Sequence, residues 1–358
     1  MLSQLNKGSR SNLQPPQPRQ ITMKKSIHRR IQLTLISAAL VAGGLALAQQ
    51  QEKKIKEEED KPQYEASLSV SVNQVRVDVA VRDKKDNLIS GLRKEHFTLY
   101  EDKVEQEIVN FSPIEAPMTA VLLIEYNKAI SWEMLYEAWL SSQYFVRGMR
   151  QGDWVAVVAF DIRPEILVDF TQDKAEVFNS LRALNFPAFS ESNFYDALYD
   201  VLDRTQETEG KTAVIAVATG IDTFSKKNLS QLLKRVKKSN STIFAVSLGG
   251  HQRARYGHTL PATQRMTLLQ ADNTLKTITK WTGGEAYFPR FVSQYPGIFE
   301  TISAMLRHQY SLSYIPTNTK KNGKFRKIQV KINVDVNGDG KPDKLKLLHR
   351  NGYEAAKG

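Results

Sequence analysis

The sequence predicts an α/β fold: a doubly wound, Rossmann-like sheet with helices on both faces, joined to a small all-β element made by N-terminal strands and a C-terminal β-hairpin. Three observations predict it. Residues 121–124 and 214–217 are continuous apolar runs without the alternation of a half-exposed strand, the pattern of parallel strands buried on both faces. Between residues 117 and 308 such runs alternate with stretches of helical periodicity. Before them, Val70, Val72, Val75, Val77, Val79 and Val81 mark strict strand-type alternation.

Residues 1–48 read as a leader and secretory signal peptide. Met23, Lys24 and Lys25 with Arg29 and Arg30 form a basic start, residues 31–45 are apolar and small, and Ala46-Leu47-Ala48 is a cleavage-type triplet. Translation starts at Met1 or at Met23, and the alternative to cleavage is an anchor helix left in place. Residues 49–66 are charged, lack an apolar face and read as a solvated linker. The chain carries a formal charge of +12, but residues 1–50 hold seven Lys/Arg and no acid, which leaves +5 for the rest. Those remaining cations are scattered along the sequence without interleaved aromatics, which argues against nucleic acid. With no cysteine, disulfides and lipid attachment through a cysteine are excluded. The expectation is an exported, periplasmic or extracellular protein that meets a membrane only through an uncleaved signal sequence.

Residues 67–113 form the N-terminal β region, with a turn at 84–87, core anchors Leu92 and Phe97, a strand at 98–100, a turn at 101–103 and a strand at 106–111. In the central region, 117–308, the first strand ends at Glu125. Trp132, Leu135, Tyr136, Trp139, Leu140 and Tyr144 then recur at helical spacing, so they form a core-facing stripe. A strand at 154–160, an edge strand at 166–169 and a helix at 174–184 capped by Thr171 follow. Ser192 opens the next helix. Strands at 214–217 and 243–247 bracket a helix at 229–236, and a helix at 268–281 ends at Gly283-Gly284 before a last strand at 286–288. Residues 309–358 extend the chain with further strands.

Three stretches carry the functional reading: AVLLIEYNKAI (120–130), ESNFYDAL (191–198) and AVIAVATGID (213–222). Ligand sites in open α/β sheets form at the carboxyl ends of such strands. Their order resembles the von Willebrand factor type A domain. VAFDIRPEILVDFT (158–171), TGGEAYFP (282–289), QYSLSYIPTN (309–318), GKFRKIQVKI (323–332) and NGYEA (351–355) further resemble the von Willebrand A-related family common in Acidobacteria. The resemblance spans roughly 70–355. It implies a metal-ion-dependent adhesion site built from Asp-x-Ser-x-Ser, a Thr and an Asp. The matching positions here are Glu125, Asn127, Ala129, Ser192 and Thr219, with Asp222 beside them. A hard divalent cation wants closely placed oxygens. Ala129 supplies none, Thr219 is neutral where the family has a carboxylate, and Glu125 is one methylene too long. The expected site is therefore degenerate and free of magnesium. In the alternative, Glu125, Asn127 and Ser192 hold magnesium and a ligand carboxylate completes its shell.

One further motif, DVNGDGKPD (335–343), sets Asp335, Asn337, Asp339 and Asp343 at positions 1, 3, 5 and 9 of a calcium-type loop, with Gly340 at position 6. Lys346 stands where a helix-loop-helix site needs Glu. The spacing suits a calcium loop set in a β-hairpin between strands at 327–334 and 345–350. Alternatively these are turn-forming residues that need no ion. For catalysis, His96, His251, His258, His308 and His349 stand singly, and no nucleophile motif or phosphate-cradling loop is present. The segment 251–258 reads as a solvated basic loop, or more sharply as an anion contact through Arg253 and Arg255. The function expected is non-enzymatic, adhesion-type binding of an unidentified protein partner. An envelope enzyme of unknown reaction is the remaining reading.

Overall fold

The structure, a computed structural model, describes residues 74–357 apart from 115, 184–186 and 209, and of 251, 252, 255 and 256 only the backbone. The leader, signal-peptide and linker readings, and strand residues Val70 and Val72, lie outside the described residues.

The chain enters β1 (Val75–Arg82), whose alternating valines point into a core, and passes through β2 (Phe97–Glu101), β3 (Val104–Gln106) and β4 (Ile108–Pro113). It then builds the larger sheet from β5 (Met118–Glu125), α1 (Trp132–Arg147), β6 (Trp154–Phe160), β7 (Pro164–Thr171), α2 (Lys174–Ala183), α3 (Phe194–Arg204) and β8 (Lys211–Ala218). The layer is completed by α4 (Leu229–Lys238), β9 (Thr242–Ser247), α5 (Gly249–Tyr256), α6 (Ala262–Thr282), β10 (Ala286–Tyr287) and α7 (Tyr295–Arg307). The strand order is β10-β9-β8-β5-β6-β7, parallel except for the antiparallel edge β7. This is the expected doubly wound sheet.

Its central strands read as continuous apolar runs because both faces are covered. Leu122, Ile124, Ile215 and Val217 pack with Leu135 and Trp139 of α1, Val177 of α2 and Phe299 of α7. The neighbouring residues Val121, Leu123, Val214 and Ala216 pack on the other face with Leu198 of α3, Leu232 of α4 and Leu275 of α6. Between them these faces bury most of the apolar area that stabilises the fold, at roughly 25 cal/mol per Å².

After α7 the chain returns through β11 (Gln309–Tyr314), β12 (Phe325–Ile332), β13 (Lys346–Leu348) and β14 (Gly352–Glu354) to join the N-terminal strands. Two four-stranded sheets result, ordered β13-β1-β11-β4 and β14-β12-β2-β3, packed over Val77, Val79, Leu99, Leu312, Tyr314 and Ile328. One detail differs from the expected hairpin. β12 pairs with β2 and β14, whereas β13 pairs with β1, so the 335–343 loop crosses from one sheet to the other and the antiparallel C-terminal pair is β12 with β14. The apolar positions of the two flanking strands serve opposite inner faces of one core, which sequence alternation cannot distinguish from a hairpin.

Local starts also differ. Thr171 closes β7, and it is Asp173 whose Oδ1 takes the Ala175 N–H at 2.8 Å to begin α2. The segment read as a basic loop at 251–258 is mostly helical, within α5, and Arg253 is ion-paired to Asp272. Gly283 ends α6 as expected, at φ +83°, with its N–H on the Thr279 carbonyl.

Candidate functional site at the carboxyl ends of the central strands

β5 leads to α1 on one face of the sheet, and β8 leads to α4 on the other, so the crevice between their carboxyl ends is the point where ligands of open α/β sheets bind. Glu125 and Thr219 stand there, on β5 and just past β8. The extra methylene of Glu125 lets its carboxylate reach across the crevice. Oε2 accepts the Thr219 backbone N–H at 2.5 Å and the Thr219 hydroxyl at 2.8 Å. Oε1 accepts the Asn127 side-chain amide at 2.6 Å. The Asn127 carbonyl oxygen is itself taken by the Ala129 N–H at 2.9 Å.

Glu125 is fully buried. Burial pushes its carboxyl pKa up, the two Thr219 donors pull it back, and the Asp222 charge adds to the rise. The Ser192 hydroxyl faces the same carboxyl and favours its charge from outside hydrogen-bonding geometry, so its buried oxygen has no partner among the described residues.

Asp222 serves another purpose. Helix α3 starts at Phe194, two residues beyond the expected opening at Ser192, and its N-cap Asn193 makes no side-chain cap. The N–H of Tyr195 is instead satisfied by Asp222 Oδ1 at 3.0 Å, and that of Asp196 by Ser225 Oγ at 3.0 Å. Asp196 in turn accepts the N–H groups of Lys226 and Lys227. The loop after β8 and the start of α3 thereby cap each other. Gly220 permits this turn: its φ is +77°, and a Cβ would lie 2.8 Å from the Ala271 carbonyl of α6.

The structure therefore brings Glu125, Asn127, Ser192 and Thr219 together and turns Asp222 toward a helix end. As arranged, the set does not fit magnesium. The ion needs an octahedron of oxygens at about 2.0–2.1 Å. Here the Asn127 nitrogen rather than its oxygen faces the centre, Thr219 Oγ1 is a donor to Glu125, and Ala129 has no side-chain oxygen. Around this closed centre stand two exposed aromatics that sequence reading missed. Phe189 is 45% exposed and its carbonyl takes the Lys128 N–H, while Phe224 is 57% exposed and its N–H bonds to the Ser192 carbonyl. Both interrupt polar loops without any periodic pattern, and what makes them notable is the backbone bonds that tie them to Lys128 and Ser192.

The 335–343 loop is exposed and folds on itself. Asp335 accepts the N–H groups of Gly338 and Gly340 at 2.7 Å each, which hold its carboxyl below the usual range, the Gly340 bond foremost. Asp343 accepts the Val336 N–H at 2.8 Å, and Asp339 the Lys341 N–H at 2.9 Å. The Asn337 amide stands between Asp339 and Asp343, at 3.4 and 3.1 Å. Among the described residues no three His, Asp or Glu side chains are grouped as a metal site, and no helix is long and apolar enough to cross a membrane.

No family model and no curated protein matches the chain. Among solved structures it is similar to the vWF domain of a type V pili tip protein from Porphyromonas gingivalis, at 14% identity and a TM-score of 0.40, over 53% of this chain and 96% of that one. It is also similar to an aerotolerance-related membrane protein from Bacteroides fragilis NCTC 9343, at 14% identity and a TM-score of 0.40, over 53% and 98% of the two chains. A third is the conserved hypothetical protein BatB from Bacteroides thetaiotaomicron, at 12% identity and a TM-score of 0.38, over 54% and 100%.

Proposed function

We propose that this chain is an exported, non-enzymatic protein-interaction module of the von Willebrand A-related family its motifs resemble. It meets its partner through the loops at the carboxyl ends of β5 and β8, without a metal ion. The observation that carries this reading is Glu125: a fully buried carboxylate whose oxygens already hold Asn127 and Thr219. An internal hydrogen-bonded link replaces the ion as the element joining the loops, and the exposed Phe189 and Phe224 supply apolar contact around it.

The experiment is capture from the native envelope fraction in the presence of a chelator. The wild type is expected to retain one partner that the double variant Phe189→Ser/Phe224→Ser loses while its melting temperature is unchanged. Capture that requires magnesium would contradict the reading.

One observation favours a second reading. Ser192 Oγ is buried without a partner beside Glu125, where a cation would use it. Magnesium held by Glu125, Asn127 and Ser192 then requires Asn127 to rotate its oxygen inward and give up the Ala129 N–H.

A further inference from the structure

At the other end of the parallel sheet lies a cleft of about 740 Å³. Its walls are the starts of β8 and β9, the first residues of β1, the segment after β11 and the last residues of the described chain. Nine Lys and Arg side chains line it against two carboxylates, Asp78 and Glu354. Sequence order scatters these cations over almost 300 positions, and the fold gathers them.

Several of them are engaged locally. Arg76 pairs with Asp78 at 2.9 Å, Lys238 with Glu354 at 3.4 Å and Arg326 with Glu101 at 3.1 Å. Lys237 lies 4.3 Å from the centre of the Trp281 ring, and with Lys238 it answers the negative end of α4. Lys211 and Arg350 are held differently. Lys211 is 4% exposed, and its ammonium donates to the Leu306 carbonyl. Arg350 donates to the Gly352 and Ser239 carbonyls and to Asn240 Oδ1. Neither makes an ion pair among the described residues. Asp78 is the carboxylate that most favours charge on Lys211, and Arg76 already engages it. Buried cations are normally paired with acids, because desolvation is otherwise uncompensated. Burial accordingly pushes the Lys211 ammonium down to about 7 and holds Arg350 below its usual value.

We propose that this cleft binds a phosphate-bearing ligand, with Lys211 and Arg350 at its floor and the exposed Lys320 and Lys321 at its rim. The chemical class follows from which of these cations have no acid among the described residues. Forked guanidinium groups take carboxylates and phosphates alike, and two of the three arginines here are already taken by carboxylates. Of the cations left without an acid, all but Arg350 are lysines, compact point charges that suit the oxygens of a phosphate monoester or anhydride. The volume admits more than one phosphate group. The same chemistry could reach the cleft on a small soluble molecule or on a lipid headgroup.

The test is calorimetric titration of the full chain with inorganic pyrophosphate, alongside sedimentation with phosphatidylcholine vesicles with and without phosphatidylglycerol. Two variants are compared: Lys320→Ser/Lys321→Ser, whose side chains are exposed and leave the fold intact, and Lys211→Met, whose melting curve reports folding. Pyrophosphate should bind saturably and lose roughly tenfold or more in affinity in each variant. Sedimentation that needs phosphatidylglycerol and fails in the variants would assign the phosphate to a headgroup, and pyrophosphate binding without sedimentation would assign it to a soluble compound. Absence of both, wild-type affinity in both variants, or preference for a polyglutamate peptide or an oligonucleotide over pyrophosphate would overturn the proposal.

Discussion

Glu125 turns its carboxyl inside the protein, and its titration is the simplest probe of the centre it organises. Burial raises its pKa above the value it has in the unfolded chain. A raised carboxyl adds stability that is fully present below the unfolded pKa, near 4.5, and is lost as pH rises through the folded value. Glu125→Gln keeps the size and removes the charge, so its melting temperature should fall less than that of the wild type between pH 4.5 and neutrality; parallel curves would contradict the assignment. Glu125→Ala leaves the Thr219 and Asn127 donors buried and unmet, and should cost about 1–3 kcal/mol by denaturant unfolding. Lys211 has the opposite sign. Its folded pKa of about 7 lies below the unfolded 10.5, so its burial penalty is full below pH 7 and is relieved as pH rises through that window. At this scale the sequence pointed to the residues that meet: Glu125, Asn127, Ser192 and Thr219 were singled out from three separate stretches, and the fold brings them together. It did not disclose that the Asn127 amide turns its nitrogen inward, nor that Asp222 reaches a helix 27 positions away, because both depend on contacts between separate loops.

The caps and loops show which local rules tertiary contacts override. Ser192 looks like a helix start by residue type, yet α3 takes its capping acceptors from Asp222 and Ser225 across the crevice. Asp222→Ala should therefore destabilise the protein by about 1 kcal/mol in urea unfolding, the usual worth of a lost cap, and a neutral result would mean that water replaces it. The buried strands were the most legible elements, since the apolar runs at 121–124 and 214–217 are too short for a helix and too continuous for a half-exposed strand. The 335–343 crossing was less legible: β12 and β13 carry patterns that fit a hairpin, and only their partners in different sheets decide otherwise. Calcium at this loop is a proposal that rests on oxygen spacing. An arriving ion has to displace the Asn337 amide from between Asp339 and Asp343. If it does, calcium should raise the melting temperature of the wild type and leave that of Asp339→Ala unchanged; identical curves with and without calcium would reduce the loop to an Asn/Asp turn.

Across the molecule, the sandwich and the α/β layer meet through Glu285, just before β10, whose carboxylate binds Arg82 of β1 at 2.5 Å and Lys346 of β13 at 2.6 Å. The two ends of the parallel sheet differ in chemistry. The carboxyl end is an internally closed acid with exposed phenylalanines around it, and the amino end is a basic cleft. The first was half legible, because the apolar runs that end at Glu125 and Thr219 marked the loops as strand ends. The second was not, because its cations come from segments far apart in sequence. At the carboxyl end, the proposed function requires that the loops at Glu125 be held by hydrogen bonds in place of an ion. Its most direct test is a magnesium titration of chelator-treated protein followed by thermal melting, in the wild type and in Glu125→Ala. The wild-type melting temperature should not change with magnesium. A saturable rise in the wild type that Glu125→Ala abolishes would contradict the metal-free link.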